Sequence, residues 1–402
     1  MNRPDKPLRK VALIFGTRPE GVKMAPVVLE LQKRKCITTQ VIVTAQHREM
    51  LDQVLSLFDI IPDKDLDIME PGQTLTRITT KALTGLETLF SEDPPDLVLT
   101  QGDTTTAFTA SLAAFYQKIP VGHVEAGLRT DTIYDPFPEE MNRRMISTIA
   151  SLNFAPTPLS VENLLRFGVS RDTVFLTGNT VIDALMHIVE KRADSAPGEI
   201  RRLIRPGMRM LLVEAHRREN LGEPMENICR ALLGLVEDYP DTYIIFPVHR
   251  NPRVRETVFS ILKDHDRISL LEPVDYPALV YLMKESYMIL TDSGGIQEEA
   301  PSLARPVLVM RRTTERPEGI EAGTAKLAGV KEADIYRLGG ELLKNPEIYK
   351  AMAKMANPYG DGRAAVRIAD AIEHHFQLRS QPMDPFHPDP WERIIPTWGD
   401  PA

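Results

Sequence analysis

Residues 288–316 read MILTDSGGIQEEAPSLARPVLVMRRTTER, and this stretch decides the fold. Met288-Ile289-Leu290 is an apolar run of the length a buried parallel strand needs. Thr291 to Gly295 are small or turn-forming, and Ile296 to Ala300 reads as the first turns of a helix. Strand, small residues and helix start together present free backbone N–H groups and a positive dipole end to an anion. The paired glycines Gly294 and Gly295 let a phosphate approach where a Cβ would block it, and Ser293 offers a hydroxyl at the capping position. Glu299, about one helical turn further in, is placed for ribose hydroxyls beyond the phosphate. Pro306 to Met310 forms a second short strand leading to Arg311, Arg312 and Arg316, cations for the same anion. The pattern points to a nucleotide diphosphate site without a metal-binding motif.

The same alternation extends outward on the N-terminal side. Met210 to Val213 reads as a strand ending in Ala215-His216-Arg217-Arg218-Glu219-Asn220, Tyr243 to Val248 ends at His249-Arg250, and Ile268 to Leu271 ends at Glu272-Pro273. A first series precedes it. Lys10 to Thr17 runs into Arg18-Pro19-Glu20 and a helix carrying Lys23, Met24, Val27, Val28 and Leu31. Val41 to Thr44 closes on Ala45-Gln46-His47-Arg48-Glu49. Leu97 to Thr100 ends at Gln101-Gly102-Asp103, and Val121 to Val124 at Glu125-Ala126-Gly127. Strands alternating with helices imply parallel sheets, whose ligands bind outside the carboxyl ends of the strands. The expectation is two doubly wound α/β domains with strand-end residues facing one interdomain cleft. Phe175 to Gly178 reads as a strand closing the first half. The division is drawn beside it: residues 1–174 with a returning segment 364–402, and 175–363.

Asp103 and Glu125 fall at the ends of consecutive strands, and two carboxylates converging there suit proton transfer at carbon. The glycine pattern of dinucleotide sites, GxGxxG, is absent, which argues against NAD. Between Leu128 and Arg144 no strand is legible; Pro136 and Pro138 mark a long loop, and Glu139 and Arg143 stand one turn apart, able to pair. Asp361 to Leu378 reads as a closing helix. The last 22 residues, 381–402, hold six prolines and both tryptophans, Trp391 and Trp398, which points to docking on the body or a neighbouring subunit.

Composition bounds the partners. Lys and Arg total 48 against 56 Asp and Glu, a net charge of −8 with no basic block, so nucleic acid is not expected. Cys36 and Cys229 match no metal or redox spacing, which suits a reducing cytoplasm. The first apolar run, Val11 to Phe15, is too short for a signal or membrane segment, and no membrane partner is expected.

Taken together these residues resemble the non-hydrolysing UDP-N-acetylglucosamine 2-epimerases, from Val11 to about Ile372. The resemblance rests on FGTRPE (15–20), TAQHRE (44–49), GDTTT (102–106), HVEAGLRT (123–130), PEEMNR (138–143), HRREN (216–220), DSGGIQEEA (292–300) and ERPE (315–318). It implies two Rossmann-like domains in a glycosyltransferase-B-like arrangement and a homodimer in the cytoplasm. It also implies interconversion of UDP-GlcNAc and UDP-ManNAc for cell-surface polysaccharide, with no cofactor or metal in the chemistry. Carried over by motif, Arg18, His216, Ser293, Gly294, Gly295, Glu299 and Arg316 would hold the UDP. Lys23, Asp103, Glu125, Glu139 and Arg143 would surround the sugar, and the uracil would lie near Val274 to Leu279. Gln46, His47, Glu49 and His249 would belong to a second UDP-sugar site that activates the enzyme. The chain departs from the family pattern at Glu214, where Thr is usual, at Gln101, where His is common, and at Glu49, where Gln is frequent. Alternatives that remain are a hydrolysing epimerase, an epimerase of a 3-acetamido or uronic acid sugar, a glycosyltransferase and a non-catalytic UDP-sugar sensor.

Overall fold

The computed structural model describes residues 8–44, 48–70, 72–192 and 196–388. Two compact units divide after Ala184 and again after Tyr359, so that Gly360–His387 belongs with the first. Among the described residues the first unit holds one parallel sheet of seven strands in the order β3-β2-β1-β4-β5-β6-β7. These strands are β1 (Arg9–Phe15), β2 (Ile37–Val43), β3 (Lys64–Asp65), β4 (Leu97–Gln101), β5 (Val121–Val124), β6 (Leu152–Ala155) and β7 (Val174–Leu176). The second unit holds a parallel sheet of six, β10-β9-β8-β11-β12-β13. Here β8 is Arg209–Glu214, β9 Thr242–Pro247, β10 Ile268–Leu271, β11 Met288–Thr291, β12 Val307–Val309 and β13 Ala325–Leu327.

Burial on both faces explains the sequence of the central strands. Val11 to Phe15 in β1 and Met288 to Leu290 in β11 are fully buried, and such strands read as unbroken apolar runs rather than alternations. In each sheet the strand order reverses beside a central pair, β1/β4 in the first and β8/β11 in the second. At such a switch point the loops leaving adjacent strands diverge, and a ligand fits outside their carboxyl ends.

Three strands escaped the reading of the sequence, each for a local reason. β3 is two charged residues, both exposed, on the sheet edge. β6 is interrupted by a polar residue, Asn153, which is buried and donates to Thr173 Oγ1 at 3.4 Å. β13 carries Lys326, paired with Glu341 at 3.0 Å. The first division also falls later than 174, because β7 pairs with β6 and is the seventh strand of the first sheet. Gln46, His47, Trp391 and Trp398 lie outside the described residues, and of Glu49 only the backbone, in the helix Arg48–Leu57, is described. Among the described residues no helix is long and apolar enough to cross a membrane.

The returning segment is stitched in by charge. Arg34, just past the helix Arg18–Leu31, reaches Asp370 at 2.8 Å and Glu373 at 3.0 Å on the helix Ala364–His375. That helix is capped from outside itself. Asp183, in the helix Thr180–Arg192, accepts from the backbone N–H groups of Ala364 at 3.1 Å and Ala365 at 2.8 Å. Burial pushes the Asp183 carboxyl up from 3.8 to about 7 despite those two donors. Asp183→Ala leaves two helix N–H groups without an acceptor and should cost about 1–3 kcal/mol. The pH dependence has a definite sign: a carboxyl raised in the folded state contributes most below its unfolded value and loses that contribution as pH rises through about 7. Hydrogen exchange of residues 364–375, corrected for intrinsic rates, should therefore accelerate between about pH 4 and 7, and in Asp183→Ala be fast throughout. Protection that is flat with pH and unchanged in the variant would contradict this account.

Candidate active site

In the first unit the chemistry gathers where β1, β4 and β5 end. Glu125 follows β5 with φ +62°, a left-handed backbone that is uncommon for a residue with a Cβ. This turn carries the carboxylate into a set of donors. Lys23 pairs with one oxygen, Gln101 donates to the other, and Asn179 Nδ2 adds a bond of 3.2 Å. Gly102 also has positive φ, +70°, and its carbonyl meets His123 Nε2 at 2.7 Å. Burial drives the His123 pKa down to about 4, so at neutral pH the ring is neutral and serves as a spacer under the site.

Asp103 pairs with Arg143, Nε to Oδ2 at 2.8 Å, and its backbone carbonyl accepts from Asn142 Nδ2 at 2.8 Å. Arg143 also reaches Glu140 at 3.3 Å, and Glu140, fully buried, holds Arg144 at 2.7 Å and the backbone N–H of Thr130 at 3.0 Å. The helix Glu139–Ile149 thus points its first turn at the end of β4. Arg143 takes Asp103 and Glu140 as partners rather than Glu139, so the one-turn pairing read from the sequence is not made. Glu139 Oε2 is buried and has no hydrogen-bond partner. Arg18, in the first turn of its helix, is partly exposed, and among the described residues its guanidinium makes no hydrogen bond or ion pair.

In the second unit a buried aspartate organises the site. Asp292, just past β11, accepts from the backbone of His216 at 3.0 Å and of Arg217 at 2.9 Å, and from Asn220 Nδ2 at 2.9 Å. The loop after β8 is thereby folded onto the loop after β11. Burial raises the Asp292 pKa, while those N–H donors oppose the rise. His216 Nδ1 lies 2.7 Å from Glu214 Oε1, and the ring stacks on His249 with centroids 5.3 Å apart. Glu214, His216 and Asp292 bring one potential metal-ligand atom each within 4.8 Å of the others. Yet Glu214 Oε1 and His216 Nδ1 form a close ion pair, 2.7 Å apart but off the line of a hydrogen bond, and the Asp292 oxygens are already occupied by donors. The trio is an acid–base pair above a loop anchor.

Gly294 opens the helix Gly294–Glu299. A Cβ placed there would lie 3.9 Å from Arg217 Nη2 and 3.9 Å from Arg316 Nη2, so two guanidinium groups converge over this glycine. Glu298, buried, holds Arg316 through Nε, and Glu299 accepts from Tyr276 Oη at 2.7 Å. Val274 and Leu279 stand, partly buried, on either side of the cap of the helix Tyr276–Glu285. Three readings need correction. Ser293 occupies the cap position but its side chain makes no capping bond. Arg311 is buried against Glu219 at 2.6 Å and so already has a counter-charge, while Arg312 is exposed. Arg217, which the sequence reading passed over inside HRREN, is the cation that joins Arg316.

The family model of the UDP-N-acetylglucosamine 2-epimerases matches residues 29–373. The chain belongs to this epimerase family. The UDP-N-acetylglucosamine 2-epimerase of Bacillus subtilis is 52% identical over 382 residues, covering 94% of this chain and 98% of the relative. That of Escherichia coli K12 is 51% identical over 371 residues, covering 91% and 99%. Among solved structures, a putative UDP-N-acetylglucosamine 2-epimerase from Listeria monocytogenes matches with a TM-score of 0.89 at 49% identity, over 94% of this chain and 100% of that one. The Neisseria meningitidis epimerase bound to UDP-GlcNAc gives 0.82 at 50% identity, over 91% and 100%.

Within this epimerase fold Gly294 is the position that tests the guanidinium pair. Its backbone is not left-handed, and a methyl group would make only ordinary contacts at 3.9 Å. Gly294→Ala should fold with its melting temperature within a few degrees of the parent, because Ala suits a first helical turn. It should nonetheless bind UDP at least about 10-fold more weakly by calorimetry, since the methyl stands between the two guanidinium groups and a phosphate they would hold. Unchanged UDP affinity in a folded variant would move the anion elsewhere.

Proposed function

We propose that the chain interconverts UDP-GlcNAc and UDP-ManNAc by eliminating UDP to a glycal and adding it back. The C2 proton of a sugar is not acidic by itself. As the C1–O bond breaks, its electron pair leaves with the β-phosphate oxygen and positive charge grows at C1. A carboxylate then takes the C2 proton and C1=C2 forms. The reverse addition delivers a proton to the opposite face of C2 while the UDP oxygen rejoins C1. Atoms and charges balance without a redox partner.

The observation that carries this reading is the seat of Glu125. A carboxylate held by Lys23, Gln101 and Asn179 is fixed in place beside a cation, and a fixed carboxylate is the acceptor that proton transfer at carbon needs. Asp103 with Arg143, and Glu139 with its unpartnered oxygen, are the further groups for return of the proton to the other face. In the second unit Arg217, Arg316, His216 and the start of the helix Gly294–Glu299 suit the leaving diphosphate, where charge develops. The epimerase family supports the substrate, since the relatives named above bear UDP-GlcNAc in their names.

The test is a proton and phosphorus NMR time course with UDP-GlcNAc as sole substrate in D2O. Expected are UDP-ManNAc carrying deuterium at C2 and no lasting rise in free UDP. Release of UDP with free ManNAc in equal amounts would assign the hydrolysing reaction instead. Product that retains its C2 protium would overturn proton transfer altogether. Arg217→Ala should lower kcat/KM by about 2–4 kcal/mol of transition-state stabilisation, the scale for losing a charged donor to a developing oxyanion.

A further inference from the structure

Glu214 is the last residue of β8, beside Thr291 of β11 in register, at the strand pair where the sheet order reverses. Its placement beside a diphosphate site is odd for a carboxylate, because a like charge there weakens anion binding unless it is neutralised. The structure gives it two fixed partners. Oε2 accepts from Thr291 Oγ1 at 3.1 Å, and Oε1 stands 2.7 Å from His216 Nδ1. Thr291 Oγ1 in turn accepts from the backbone N–H of Ser293 at 3.0 Å, so the carboxylate is tied to the loop that presents Gly294. The His216 ring is held from its other sides as well. It stacks on His249 at an interplanar angle of 16°, and its own backbone N–H is bound by Asp292.

We propose that Glu214 is a positioning residue: its carboxylate pairs with the His216 imidazolium on the Nδ1 side and so locks the ring, leaving Nε2–H as a charged donor to the diphosphate. The proposal rests on the reading above that a diphosphate occupies this site. With Nδ1 committed to a carboxylate, the ring gains a second proton at Nε2 more readily, and the Glu214 charge is cancelled by the imidazolium it stabilises. The charged and titratable groups facing His216 from each neighbouring element are Glu214, Asp292, Arg217 and His249. The contact with Glu214 is the largest influence and raises the His216 pKa; burial opposes it, Asp292 adds to it and Arg217 opposes it. A group raised in this way stays protonated to higher pH, and its donor function is lost as pH climbs through that raised value.

The test uses the full-length chain, with Glu214→Gln as the variant that keeps shape and removes charge, and Glu214→Thr as a second. Two readouts are taken. The first is the NMR titration of the His216 ring in the free protein, assigned with His216→Asn. The second is UDP affinity by calorimetry from about pH 7 to 9, above the last phosphate ionisation. In both variants the His216 titration should move to lower pH. UDP affinity should fall by about 3–10-fold relative to the parent near neutrality, with the alkaline loss beginning earlier. Restoring the carboxylate one methylene shorter, Glu214→Asp, should recover part of the shift. If the His216 titration is the same in all variants, the lock does not exist. If it moves while the UDP profile does not, Nε2 does not meet the diphosphate and the proposal fails. If both move yet no variant and no parent epimerises, the proposed reaction fails while the lock stands.

Discussion

Both units depend on one kind of interaction: a carboxylate buried at the switch point and satisfied by the loops on either side of it. In the second unit it is Asp292, fully buried, which collects the backbone of His216 and Arg217 and the amide of Asn220. Asn220 also donates to the carbonyl of Met310 at 3.0 Å, so the loops after β8, β11 and β12 are tied through two side chains. In the first unit it is Glu20, which accepts from the backbone of Gly16 at 3.1 Å and Thr17 at 2.8 Å, and from Thr104 Oγ1 at 2.6 Å. Thr104 simultaneously caps the helix Thr105–Tyr116, so the β1 and β4 loops share one anchor. Burial lifts the Glu20 pKa to about 6 against all of these donors, which measures how strongly the site resists a bare charge. Removing such an anchor leaves several N–H groups unsatisfied at once, and the loops it holds carry the chemistry.

These anchors tie down loops of a kind that is usually mobile. Glu125 sits at positive φ only because four groups over-determine it: the sheet behind, then Lys23, Gln101 and Asn179 around the carboxylate. Strain of this kind is tolerated where the surroundings fix the geometry, and it aims an oxygen more narrowly than a relaxed side chain would. Gln101 shows how a departure from the family pattern fits. Its amide donates to the Glu125 carboxylate, and an amide has no proton that titrates near neutrality.

The fold was legible because a parallel strand buried on both faces is written as an unbroken apolar run followed by small residues. Met288 to Leu290 and Val11 to Phe15 could be read for that reason, whereas β6, with Asn153 inside it, could not. Site residues at strand ends were legible for the same reason, since their position follows from where the run stops. What the sequence hid was pairing. Arg311 and Arg316 look alike in the string, but one is spent on Glu219 and the other turns towards Gly294. Arg217 was hidden by its neighbours, because four of the five residues in HRREN are charged or carry a titratable ring and nothing local ranks them. The Asp292 backbone bonds rank them, by fixing which side chain leaves the loop towards the glycine.

The distribution of counter-charges completes the logic of the site. Asp103 and Glu125 each have a cation of their own, Arg143 and Lys23. Two carboxylates crowded together without such cations would share one proton and lose their distinct roles. Paired separately, they can act as groups of independent charge. The cations of the second unit follow the opposite rule. Arg316 is tethered at Nε by Glu298 while Nη2 is left towards Gly294, and His216 faces Glu214 with its Nδ1. In each case an acid fixes one edge of a cation and so orients the other edge, which supplies directed donors without adding net positive charge to a chain whose balance is −8.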